Sequence, residues 1–204
     1  MWNEMLGVIK QDVTPATGCT EPIALAYAAA TAARELGEPV RFVDGWVSAN
    51  LMKNGMGVTV PGTGMPGLYI AAAVGALGGD ADAGLQVLKA LTPDVVALGK
   101  QYVADGKITV SVREDTPHVL YAEAVVYGEN HRVRVVITDD HTNIVFIEKD
   151  GKVLRDQRVE GGSGDDPKIA FLHTLTLADI VDFAEQVPLE DLAFLKEAER
   201  LNDH

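Results

Sequence analysis

Cysteine is almost absent from this 204-residue chain, Cys19 being the only one. A single thiol excludes any disulfide within the chain and any multi-thiolate metal site built from this polypeptide alone. Basic residues are scarce as well: 17 Lys and Arg stand against 30 Asp and Glu, a formal net charge of −13. A surface of that sign repels phosphate backbones and anionic lipid, so neither nucleic acid nor a membrane is expected as a partner. Long apolar runs are missing too. The longest, residues 68–77, spans about half a bilayer and contains Gly75. The first residues, Met1-Trp2-Asn3-Glu4, lack the basic segment and apolar run of a signal peptide. The expectation is a soluble, cytoplasmic protein, with 47% apolar residues sufficient for a sizeable core.

What is present alternates between helical and extended patterns. An amphipathic helix is expected over 3–12. Residues 13–20 are rich in helix breakers, and Thr20 is placed to cap a helix with Glu21 and Pro22 in its first turn and Gly37 at its end. The alanine-rich sequence between them calls for close packing on more than one side. A strand is expected over 40–48, then five glycines and two prolines within 54–67. Helical segments follow at 68–77, 81–90 and 93–105. From 108 the period changes to two: Ile108, Val110 and Val112, then Tyr121 to Tyr127, Val133 to Ile137, and Ile144 to Glu148. Gly161 to Pro167 suggests a mobile acidic loop, Thr176 with Asp179 a helix start for 177–187, and a last charged helix about 190–201. That helix reaches the chain end without a glycine cap, as expected of a protein continued elsewhere. The fold class is α+β: an antiparallel sheet of about four to five strands with several packed helices, forming one domain over 1–204.

Few residues carry chemistry by position alone. Cys19 precedes a helix N-terminus, where the dipole favours a thiolate suited to nucleophilic attack or soft-metal binding. Equally, it is a small side chain packed at a helix entry. The glycines of 55–67 let backbone amides approach an anion, yet no Gly-Lys-Ser/Thr follows and no dinucleotide fingerprint is formed. Lys53 suits a Schiff base or a carboxylate contact, or is simply a solvated lysine. His141 can act as acid, base or donor, and Asn143 can fix polar groups, though a histidine at a strand end is often structural.

The segments Gly18-Cys19-Thr20-Glu21-Pro22, Ser48 through Met65, Leu77-Gly78-Gly79, His141-Thr142-Asn143-Ile144-Val145 and Leu175-Thr176-Leu177 together resemble the L-cysteine desulfidase family, which is similar to the iron–sulfur-dependent L-serine dehydratases. The resemblance covers nearly the whole chain, as the N-terminal half of a two-domain enzyme. It implies a lyase that removes sulfide from L-cysteine, giving pyruvate and ammonia, with a [4Fe–4S] cluster in the complete enzyme. It further implies Cys19 as one cluster ligand, the others lying in a missing C-terminal domain or subunit. Lys53 and His141 are its implied catalytic residues, and Asn50, Asn54, Thr63 and Asn143 its implied substrate contacts. Alternatives are L-serine dehydration, a non-catalytic subunit that binds a partner domain, or a pyridoxal-phosphate lyase using Lys53. Alanine-rich helices would also suit a homo-oligomer.

Overall fold

The computed structural model describes residues 1–16, 18–158 and 167–203. The loop expected at 161–167 lies outside them, apart from Pro167, which opens a helix. The chain forms two compact units, one from its two ends and one from the residues between. Among the described residues no helix is long and apolar enough to cross a membrane.

The larger unit is built on helix α2 (Thr20–Leu36) and a six-stranded sheet. Alanine, the strongest helix former, fills α2, and Gly37 closes it in the left-handed region at φ 72°. The N-terminus departs from expectation: Cys19, not Thr20, is the capping residue, and no side chain caps the helix. The strands are β1 (Phe42–Val47), β4 (Ile108–Val112), β5 (Tyr121–Tyr127), β6 (Arg132–Thr138), β7 (Ile144–Lys149) and β8 (Lys152–Asp156). They lie in the order β4-β1-β5-β6-β7-β8. Pairing is antiparallel from β1 through β5, β6 and β7 to β8. The α+β class is therefore observed, with two differences. β8 adds a strand that the sequence pattern does not show, its five residues all being exposed. β4 runs parallel to β1, pairing Val43 with Ile108 and Val47 with Val112. It returns through a helical crossover and not a hairpin, and such a connection sets the two strands in the same direction.

That crossover holds α3 (Ala49–Gly55), a two-stranded hairpin of β2 (Thr59–Val60) and β3 (Met65–Pro66), α4 (Leu68–Gly78) and α5 (Pro93–Ala104). Ser48 starts α3 by accepting from the Leu51 amide at 3.3 Å, while its own hydroxyl donates to the Val119 carbonyl at 2.7 Å. Thr92 caps α5 with Pro93 in the first turn, as the sequence indicates. The helix expected over 81–90 is instead a folded loop with one 3-10 turn at Gly84–Gln86, where Gly84 takes φ +53°.

Along β5, Ala122, Ala124 and Val126 are fully buried in the same core as Ile23, Leu25 and Ala26 of α2. Tyr121, which opens β5 with the opposite alternation, belongs to a second cluster with Val136, Val145, Phe146 and Trp46. The sheet thus has a helix-covered face and an outer face. On the other side of α2 lies α4, so close that a Cβ at Gly75 would stand 2.4 Å from the Ala26 carbonyl oxygen. At the far end of α2, the Lys149 ammonium of β7 donates to the carbonyls of Glu35 and Leu36 at 2.8 and 3.0 Å. These are acceptors that the last helical turn leaves without partners.

The smaller unit packs α1 (Trp2–Asp12), α6 (Pro167–Leu172), α7 (Leu177–Gln186) and α8 (Leu195–Asn202), with a 3-10 turn at Leu189–Leu192. Met5, Leu6, Phe183 and Val187 form its core, with Trp2 edge-on to Phe183. Thr176 and Asp179 form a reciprocal capping box at the start of α7, as their spacing implies.

Candidate functional site

The start of α2 is the place where several of the singled-out residues converge. Gly18, at φ +81°, turns the chain into the helix against the glycine-rich segment; a Cβ there would fall 2.6 Å from Cγ of Pro61. The half-buried Cys19 thiol donates to Oε2 of Glu21 at 2.8 Å. Oε1 of the same carboxylate accepts from Nδ2 of Asn54 at 3.2 Å. Asn54 lies on α3 with Asn50 and Lys53, three residues spaced to share one helix face, and all three are exposed.

The electrostatics of this group differ from the thiolate that a helix N-terminus favours in isolation. Burial pushes the Cys19 thiol up, and its hydrogen bond to Glu21 pushes it further; the backbone amides of Thr20 and Glu21 pull the other way and are outweighed. Glu21 moves down, chiefly because it accepts the thiol hydrogen bond, with smaller help from Asn54 and the charge of His141. The proton therefore resides on sulfur, and the carboxylate is the anion held at the helix mouth, where the dipole stabilises it.

The other candidates occupy different settings. His141 is half-buried in the turn between β6 and β7, and its electrostatic influence reaches Glu21. Asn143 donates from Nδ2 to the Thr138 carbonyl at 3.1 Å, closing the same turn. Thr63 is buried, donating from its hydroxyl to the Val60 carbonyl at 2.8 Å and accepting from the Met65 amide at 3.0 Å. Its hydroxyl is thereby committed to the β2–β3 hairpin. Asn50 opens instead onto a shallow depression with Ser48, Arg113, Thr116 and His118. Lys53 makes no ion pair with a described residue.

Sequence reasoning treats Glu21 as an ordinary first-turn acid, yet it is the hub of the cluster. The available signal is its position two residues after the only cysteine. A [4Fe–4S] cluster is held by four thiolates. This chain has one, and among the described residues no three His, Cys, Asp or Glu side chains converge as metal ligands. The residues present do not by themselves make a cluster site. What they do make is a partly buried carboxylate that accepts hydrogen bonds from a thiol and an amide, an arrangement able to orient a polar substrate and move protons.

No family model matches the chain, and no solved structure matches it. It is 53% identical over 202 residues, 99% of its length, to a UPF0597 protein of Chromobacterium violaceum. It is 48% identical over 201 residues to a UPF0597 protein of Aeromonas hydrophila, and 46% identical over 203 residues to the UPF0597 protein YhaM of Escherichia coli. The aligned region is 46% of the first two proteins and 47% of the third. The chain is thus homologous almost end to end to UPF0597 proteins and spans about half the length of the curated relatives it matches.

Proposed function

We propose that this chain is one part of a lyase that β-eliminates sulfide from L-cysteine, giving pyruvate and ammonia, and that the rest of the active site lies outside it. The observation that carries the reading is the hydrogen-bonded Cys19–Glu21–Asn54 group at the mouth of α2, with His141 close enough to influence Glu21. It draws together residues from three of the segments that carry the desulfidase resemblance. The span of about half its relatives' length supports a requirement for a further domain or subunit.

In this reading Lys53, on the exposed face that it shares with Asn50 and Asn54, attracts the substrate carboxylate. His141 takes the proton from Cα, and the ionised Glu21 stabilises the imidazolium that results. The electron pair of the Cα–H bond becomes the Cα=Cβ bond, the Cβ–S bond breaks, and sulfide leaves with the sulfur electrons. His141 returns the proton to sulfide or solvent. Aminoacrylate then tautomerises to the imine, and water converts it to pyruvate and ammonium. Cys19, a thiol hydrogen-bonded to Glu21 in this structure, would have to lose its proton to serve as one ligand of a [4Fe–4S] cluster, whose other ligands would come from beyond this chain. L-Serine is the competing substrate, its hydroxyl leaving in place of sulfide.

The test is pyruvate and sulfide release from L-cysteine and L-serine by a protein of full relative length carrying this region. Lys53→Ala and His141→Ala are each expected to lower kcat/KM by about 100-fold or more, the scale of a lost general base or charged substrate contact. Unchanged kcat/KM in both variants overturns the assignment, and turnover of L-serine alone replaces the substrate.

A further inference from the structure

On the outer face of the sheet, away from α2, lies a second polar centre. Glu123 of β5 is 3% exposed. It accepts from Nη2 of Arg113 at 2.8 Å, and from Nε and Nη2 of Arg134 at 2.8 and 3.0 Å. The Tyr121 hydroxyl donates to it as well. Two guanidiniums therefore share one carboxylate. Arg113 is the incompletely satisfied one, since its Nε is buried without an acceptor among the described residues. Arg158 pairs with Asp156 at 2.6 Å and lies over the Phe146 ring at 4.0 Å.

These three arginines line one pocket of about 240 Å³. Its walls include Tyr121, Val136 and Val145, and among the described residues Asp115 is the one acidic residue of its lining. His118, also at the wall, is engaged by Asp139 at 2.9 Å. Gathering three of the chain's 17 Lys and Arg residues around one cavity runs against its net charge of −13. Arg134 and Arg158 each have a carboxylate partner, in Glu123 and Asp156, whereas Arg113 shares Glu123 and keeps Nε without an acceptor among the described residues, so it has capacity for a further one. Guanidinium forks match the oxygens of a planar carboxylate. Glu123, Asp156 and Asp115 already balance the three guanidiniums, so the donors left over suit a single negative charge better than a dianion. The apolar wall suits a hydrocarbon tail.

We propose that this pocket binds a small monocarboxylate, its carboxylate on Arg113, Arg134 and Arg158 and its hydrocarbon part against Tyr121, Val136 and Val145. The proposal does not rest on the lyase reading: its arginines gather at Glu123 on the outer face of the sheet, although Arg113, Thr116 and His118 also border the depression onto which Asn50 opens.

Titration of the isotopically labelled 204-residue chain with sodium butanoate tests it, with sodium chloride and sodium phosphate at matched ionic strength as separate arms. The arginine Nε–H resonances report directly on the wild-type protein. Butanoate is expected to shift those of Arg113, Arg134 and Arg158 saturably. Arg113→Gln is expected to weaken binding at least tenfold, and Arg113→Lys, which keeps the charge and loses the fork, to weaken it also. Butanoate shifts that fail to saturate or that chloride reproduces, or tighter binding of phosphate, overturn the proposal. So does undiminished binding by Arg113→Gln with an intact amide spectrum. Should that variant fail to fold, the wild-type resonances still decide.

Discussion

The close approach of α4 to α2 gives a prediction of definite sign. Gly75 of α4 faces the backbone of Ala26 in α2, and a methyl group added there would meet Ala26 O at 2.4 Å, Cα at 2.7 Å and C at 2.9 Å. None of these atoms can rotate aside, so Gly75→Ala must push α4 off α2 along a line of fully buried alanines. Glycine to alanine within a helix ordinarily gains about 1 kcal/mol. Overpacking a filled core costs about 1–3 kcal/mol, with rigid backbone contacts at the upper end. The net expectation is a loss of about 2 kcal/mol, or roughly 4–8 °C in Tm for a chain of this size. Gly7 in α1 provides the control. A Cβ there meets nothing within 4 Å, so Gly7→Ala is expected to stabilise its own unit by up to about 1 kcal/mol. Urea unfolding followed by circular dichroism, with the Trp46 signal reporting on the sheet, separates the two. A Gly75→Ala protein as stable as wild type refutes the reading of α2 and α4 as helices in backbone contact.

Glu21→Gln removes the carboxylate that helps hold the proton on Cys19. The variant's thiol is expected to alkylate faster at mildly alkaline pH, and a rate unchanged from wild type across the pH profile would separate the two residues. Tyr121 is pushed up to about 12, first by burial and then by its hydrogen bond to Glu123. Because the unfolded chain loses that proton near pH 10, stability is expected to fall between about pH 10 and 12, by about 3 kcal/mol in all. Tyr121→Phe should flatten this slope, as measured by denaturant unfolding in that range.

Features that depend on local chemistry are legible in the sequence. The alanine run and Gly37 define α2, Thr92-Pro93 the start of α5, and Thr176 with Asp179 the start of α7. Each is set by propensity or capping within one turn of the residue concerned. Features that depend on distant partners are not legible. β8 has no burial alternation, and the direction of β4 depends on the six elements between it and β1. α3 is only seven residues long, and its capping serine is also tied to Val119, 71 positions away. The same division holds at the sites. Cys19 stands out by rarity, but its electrostatic state depends on Glu21, and Glu21 in turn on Asn54, 33 residues further along. Arg113, Arg134 and Arg158 stand far apart in the chain, and only the folded sheet gathers them.

The ammonium of Lys149 anchors the last carbonyls of α2 to the end of the next-to-outermost strand of the sheet. The helix has 17 residues, so this anchor lies about 25 Å from Cys19 at the opposite tip, at a rise of 1.5 Å per residue. A rod fastened at its inert end transmits any slippage there to its reactive tip. Neutralising that one lysine, by acetylation or by mutation, would act on the thiol and its carboxylate without touching either.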